Sequence, residues 1–209
     1  VDRGSAVAES DEGNNVYGPI SITWVPGTVT PSGTIAYDDS VNSAMVPLRG
    51  MHLVLYDEDP APGTADDHSL ATTFTNASGQ FSFGTLTNRD AEDQGLLDIY
   101  VRAYYQADSS FFGHSVVSVQ DTVGVRHFLQ STATQNVGNG TFPFGTIKPA
   151  TTDYTHNAAA RIYTAILMGH DWLTTQGTSV PAVYMSWYPG YPGLTRYVKE
   201  KRTIYVNSV

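Results

Sequence analysis

Polar and apolar residues alternate along most of the chain in short runs that are bounded by Gly, Asn, Asp and Pro. The alternation predicts strands at 34–37, 51–56, 69–75, 80–83, 97–105, 115–119, 125–129 and 140–144. An earlier run carrying Val16, Ile20, Ile22 and Trp24 predicts one more strand, and Pro26, Gly27, Pro31 and Gly33 mark a turn-rich linker after it. Asn76-Ala77-Ser78-Gly79 reads as a tight turn in which Gly79 supplies a positive φ. After Pro149 the period changes. Ala158, Ile162, Ala165, Ile166, Gly169, Trp172 and Leu173 follow helical spacing, with Asp153 as N-cap and Gly177 and Pro181 beyond the end, predicting a helix over 154–176. Strands at 182–187, 195–198 and 202–209 follow. The fold class expected is mainly β: an antiparallel β-sandwich with one C-terminal helix and a small terminal sheet.

Composition sharpens this picture at three points. The 209 residues are enough for a sizeable core and about one large domain or two small ones. No cysteine is present, which excludes a disulfide framework, a thiolate metal site and a cysteine nucleophile. The net charge of −9 is unevenly spread: residues 1–147 carry 5 basic and 17 acidic groups, whereas 148–209 carry 6 basic and 3 acidic ones. An acidic first part argues against nucleic acid as a partner, because phosphate binding relies on clustered Lys and Arg. No apolar run approaches the roughly 18 to 20 residues of a membrane span.

Three stretches carry family resemblances. Residues 1–15, ending in Asp11-Glu12-Gly13-Asn14-Asn15 before the alternating run, resemble the closing hairpin of the bacterial cell-adhesion-related (CARDB) domain. Next, Gly33-Thr34-Ile35-Ala36-Tyr37 opens a strand, Met51-His52-Leu53-Val54-Leu55-Tyr56 alternates, and Asn76-Ala77-Ser78-Gly79-Gln80-Phe81 joins a turn to an aromatic strand. That order resembles the carboxypeptidase-regulatory-like, transthyretin-like family, over about half of the chain, and implies an immunoglobulin/transthyretin-like sandwich of a secreted bacterial protein, usually a non-catalytic spacer or adhesive unit. Related pilin-like modules carry an internal Lys to Asn crosslink; the opening strand here has no Lys, and all three lysines lie at or beyond Lys148, so the crosslink is not carried over. The helix and strands after 149 are similar to the N-terminal portion of secreted zinc metallopeptidases, although no H-E-x-x-H occurs before Val209. The expected organisation is a partial CARDB-like hairpin or donor strand at 1–26, a linker at 27–32, the sandwich at 33–148 and a helix-plus-hairpin segment at 149–209, with both ends resembling cut points in a longer polypeptide.

The main candidate site is the loop 57–67, where Asp57, Glu58, Asp59, Asp66 and Asp67 place five carboxylates in 11 residues. Crowded carboxylates repel unless a cation or open water separates them, and calcium accepts such oxygens at flexible geometry. Calcium is therefore the one cofactor expected, against the alternative of a solvated acidic turn. Asp90, Glu92, Asp93 and Asp98 form a weaker group. The six histidines show no metal-ligand spacing, and His170-Asp171 are neighbours that do not face each other on a helix. No Gly-x-Ser-x-Gly, G-x-G-x-x-G or Walker-type loop is present, so no catalytic role is expected. Trp187, Tyr188, Tyr191 and Tyr197 could stack on a sugar, with packing the preferred reading.

Two functions follow, with the non-catalytic N-terminal part of a zinc metallopeptidase as a more distant third. The first is a non-catalytic extracellular or cell-surface module that spaces or orients other domains of the same polypeptide. In the second, identical copies associate as a filament, each donating the strand within 16–25 to its neighbour by strand addition.

Overall fold

The computed structural model describes residues 25–39, 42–58, 67–91, 95–107, 117–187, 189 and 195–206. The CARDB-like hairpin therefore lies almost wholly outside the described residues. Strand β1 (Thr28–Asp39) is the spine of the first sheet. It pairs antiparallel with β2 (Ala44–Pro47), β5 (Gln80–Ser82) and β6 (Leu86–Thr87), and in parallel with β11 (Gly140–Ile147). A second, fully antiparallel sheet runs in the order β10 (Phe128–Gln130), β7 (Ile99–Tyr104), β3 (His52–Asp57) and β4 (His68–Phe74). Among the described residues the observed architecture is thus a mainly β sandwich with one α-helix.

Period-two alternation builds its core. Leu53 and Leu55 of β3, and Ile99, Val101 and Ala103 of β7, are fully buried in one cluster with Val29 and Ile35 of β1.

A third sheet runs β13 (Arg196–Val198), β14 (Thr203–Tyr205), β12 (Val183–Ser186), β9 (Val117–Gln120) and β8 (Gln106–Ala107). Its central strand β12 pairs in parallel with both β9 and β14. The helix α1 (Tyr154–Thr175) packs against β9 and β1, and its Ala159, Ala160, Tyr163 and Leu167 join the sandwich core. Residues from 33–148 and from 149–209 therefore share one sheet and one core. Side chains staple the helix down as well: Arg49 pairs with Asp171, Arg161 lies 3.5 Å from Asp39, and Tyr163 Oη donates to the Arg49 carbonyl.

Two stretches depart from the expected elements. Residues 28–32, expected as linker, form the first half of β1. Pro and Gly normally punctuate, but Gly33 is needed here for close approach: a Cβ would sit 2.8 Å from the Phe81 ring and 2.9 Å from the Gly145 carbonyl oxygen. The strand expected at 125–129 begins only at Phe128. Asp121 Oδ1 accepts from the N–H groups of Val123 and Val125, closing a turn that leaves both valines exposed. The very short β2, β6 and β8 had no periodic signal long enough to read.

The 76–79 turn forms as expected. Asn76 Oδ1 accepts from Ser78 and Gln80 N–H, and Gly79 has φ of 72°. An added Cβ there would lie 2.5 Å from the Ile35 carbonyl oxygen. Gly79→Ala is expected to cost about 2 kcal/mol, from left-handed strain plus this clash. Urea denaturation checks it; an unchanged midpoint would refute the steric account.

Helix capping follows the residues that the sequence marks. Asp153 Oδ1 accepts from His156 N–H at 3.0 Å, and its Oδ2 lies 2.5 Å from His156 Nδ1. At the other end Gly177 N–H bonds the Thr174 carbonyl and Thr178 N–H the Leu173 carbonyl, with Gly177 at φ of 74°. Burial pushes the Asp153 carboxyl up, but hydrogen bonds from His156 and its charge outweigh that and hold it below 3.8. A carboxyl depressed by folding adds stability that is complete above its unfolded value and lost as pH falls through the folded value. Asp153→Ala is therefore expected to cost about 1 kcal/mol at neutral pH. The gap between variant and parent should close as pH drops below 3.8, and a gap constant down to strongly acid pH would show that the carboxylate is not the cap.

Candidate functional site

The carboxylate loop is the first region to place. Asp57 ends β3 and is buried, its Oδ1 accepting from Asp98 N–H at 2.9 Å, and Glu58 N–H donates to the Asp98 carbonyl. Asp67 Oδ2 accepts from Tyr100 Oη at 2.6 Å. Asp57, Glu58 and Asp67 thus flank one end of β3 and β4, whereas Asp59 and Asp66 lie outside the described residues. Among the described residues no group of three or more His, Asp or Glu side chains is placed to hold an ion. Asp57 and Asp67 each spend a carboxylate oxygen on a protein donor. In the weaker group, Asp98 accepts from Asn136 N–H and Asp90 is buried, while Glu92 and Asp93 lie outside the described residues.

The face of the second sheet turned away from the core cluster carries rings and an Arg that no sequence motif marks; Tyr100 and Val54 on it are buried, and His52, Tyr56, Arg102 and Tyr104 are half-buried. On β7, the residues of parity opposite to the core are Tyr100, Arg102 and Tyr104, and on β3 they are His52, Val54 and Tyr56. Tyr56 and Tyr100, direct cross-strand partners, stack at 5.2 Å with 10° between planes. The Arg102 guanidinium carbon lies 4.9 to 5.3 Å from the ring centres of Tyr56, Tyr100 and Phe128, and Arg126 sits 4.9 Å from that of Tyr104. Gln130 and Gln106 accept from Arg102 Nε and from the Arg126 guanidinium, fixing both cations over the rings. Burial, then the hydrogen bond to Asp67, pushes the Tyr100 hydroxyl up, so it stays a donor. Tyr104 is likewise raised, by burial and by the Tyr56 hydroxyl. Bulky rings and an Arg occupy the non-core parity of each strand in the sequence, but only the pairing of β3 with β7 brings them together.

The third region is an apolar crevice of about 310 Å³ between the C-terminal half of α1 and the third sheet. Ile166, Gly169, His170 and Leu173 form its helical wall; Val117, Val183, Met185 and Ile204 form its floor. Buried His170 points the sequence's His-Asp pair apart as helical geometry requires, since Asp171 goes to Arg49. Of the aromatic cluster, Trp187 is buried against His127, whose Nε2 lies 2.8 Å from the Trp187 carbonyl, and Tyr197 is exposed. Tyr188 and Tyr191 lie outside the described residues.

No family model matches the chain, and no curated protein matches it. Among solved structures, a 9R-lipoxygenase from Cyanothece PCC8801 is similar, at 16% identity over 67% of this chain and 20% of that one, with a TM-score of 0.37. The major plantain pollen allergen Pla l 1 aligns at 10% identity over 58% of this chain and 91% of that one, with a TM-score of 0.32. A shaft pilin from Lactobacillus rhamnosus GG aligns at 14% identity over 60% and 52%, with a TM-score of 0.26. The chain spans about a fifth of the lipoxygenase, and likenesses this distant carry no argument about function.

Proposed function

We propose that the chain is a non-catalytic, load-bearing β-sandwich module of a larger extracellular protein, spacing or presenting other parts of that polypeptide. The observation that carries this reading is the pairing of the first and last sandwich strands, β1 with β11, in parallel from Val29 opposite Gly140 to Ile35 opposite Ile147. In a parallel pair the start of one strand and the end of the other lie at opposite ends. Tension between them loads the ladder along the strands, so that several hydrogen bonds must fail together rather than one at a time. The half-buried Tyr56, Arg102 and Tyr104 on the second sheet support an adhesive role for the same module, since Tyr and Arg are among the side chains enriched where proteins bind.

Single-molecule pulling tests this directly. The chain has no cysteine, so Val25→Cys with Ala150→Cys attaches handles at exposed positions that load β1 against β11 in shear. Gly138→Cys in place of Ala150→Cys moves the second handle to the start of β11 and peels the pair open instead. The shear geometry is expected to unfold at several-fold higher force, releasing roughly 400 Å of chain for the 28–147 segment at about 3.4 Å per residue. Equal forces in both geometries would overturn the reading.

Calcium at the 57–67 loop is a finer part of the proposal. A rise in melting temperature in millimolar calcium supports it, and no rise removes it. The runner-up, a filament grown by strand addition, is supported by one observation: among the described strands β4 pairs with β3 alone, as an edge strand. Light scattering separates the two, since open-ended assemblies that vanish on deleting 1–26 favour the filament and a 22.6 kDa species favours the module. Among the described residues no helix is long and apolar enough to cross a membrane.

A further inference from the structure

We propose that the crevice between α1 and the third sheet is a binding site for an aliphatic carboxylate: a linear hydrocarbon chain ending in an anionic head. Its volume of about 310 Å³ is roughly twice that of a cavity known to take benzene and falls at the lower end of small-ligand sites. Both walls are hydrocarbon, with His170 as the polar side chain in the lining, and a space of this character rewards an apolar chain rather than water.

The mouth is shaped for entry. Gly169 lies exposed on the helix, and a Cβ added there would meet nothing within 4 Å. Met168 and Trp172, 66% and 64% exposed on the same helix, leave further apolar surface open to solvent.

Charge selects the head group. Residues 148–209 carry a net +3 in a chain of net −9. Three of their six cations, Lys199, Lys201 and Arg202, occupy the exposed 3₁₀ turn that leads directly into β14. Arg202 is two residues from Ile204 in the crevice floor, and its carbonyl accepts from Tyr184 N–H, beside Val183 in the same floor. The carboxylates on these elements are Glu200 within the turn and Asp171, which is paired with Arg49. A basic end on an apolar trough complements an amphiphilic anion.

Decanoate, kept below its micelle-forming concentration, is the probe. Calorimetric titration of the whole chain is expected to show saturable one-to-one binding. With ¹³C-methyl methionine labelling, the Met185 methyl should shift while Met45, on edge strand β2, stays put. Gly169→Leu adds a side chain at the mouth while improving helix propensity, and should weaken binding at least tenfold. Lys199→Glu with Lys201→Glu should weaken decanoate several-fold and leave decanol unchanged. No saturable binding, no Met185 shift at saturating decanoate, or a folded Gly169→Leu chain that binds like the parent overturns the site. Equal loss of decanol and decanoate, or no loss of either, on charge reversal overturns the anionic head.

Discussion

Tyr163→Ala is expected to lower stability by about 4 kcal/mol and to loosen the helix and the sandwich together. Tyr163 is fully buried, its ring meets that of Tyr105 edge-on at 6.1 Å, and its hydroxyl donates to the Arg49 carbonyl on the loop between β2 and β3. Tyr105 in turn donates from the start of the third sheet to the His156 carbonyl in the first turn of α1. Burial, and then the nearby Asp153 charge, pushes the Tyr105 hydroxyl well up, which preserves that donor over the whole working pH range. Removing the Tyr163 ring therefore opens a cavity where the sandwich, helix and third sheet converge. Tyr163→Phe, which deletes the hydroxyl alone, should cost about 1 kcal/mol. Urea denaturation followed by far-ultraviolet circular dichroism and tryptophan fluorescence is the check. A helix that melts separately, with the sandwich transition unmoved, would contradict the single core.

The second large effect lies at the opposite side of the sandwich. Asn88 is fully buried, and its side-chain N–H₂ donates to the Val137 carbonyl at 2.7 Å and to Asn139 Oδ1 at 3.0 Å. Its Oδ1 accepts from Leu97 N–H, and its own N–H donates to the Gly27 carbonyl. One amide thus ties together the approach to β1, the approach to β7 and the approach to β11. Asn88→Leu keeps the volume but strands a buried carbonyl and a buried N–H, at a cost of about 3 kcal/mol. Asn139→Ala, at an exposed partner, should cost far less. Comparable losses for the two variants would mean that Asn88 acts by filling space rather than by bonding.

Long periodic elements were legible before any coordinates. The helix was expected at 154–176 and runs Tyr154–Thr175, because Asp153 and Gly177 are chemically suited to its two ends. β3, β4 and β7 match within two residues, since each carries a continuous alternation. Pro31 and Gly33 misled because their usual role as breakers was overridden by tertiary packing against Phe81 and β11. The partnership of β9 with β12 was not legible, because strand pairing across 66 positions leaves no local trace in either segment. Site residues fared less evenly. The acidic loop is conspicuous by composition, whereas the Arg102 face and the crevice arise only when parity and topology place distant residues side by side.

That pairing of β9 with β12 also sets a schedule for biosynthesis. Val117 finds its partner only at Val183, and at the usual 5 to 20 residues per second the ribosome needs roughly 3 to 13 s to make the intervening chain. Throughout that interval the buried strand Val117-Ser118-Val119 presents an open edge, with β8 and the Arg126–His127 segment on its other side. Emergence of residues 183–186, rather than completion of the sandwich strands, is the event that takes this edge out of reach of neighbouring nascent chains.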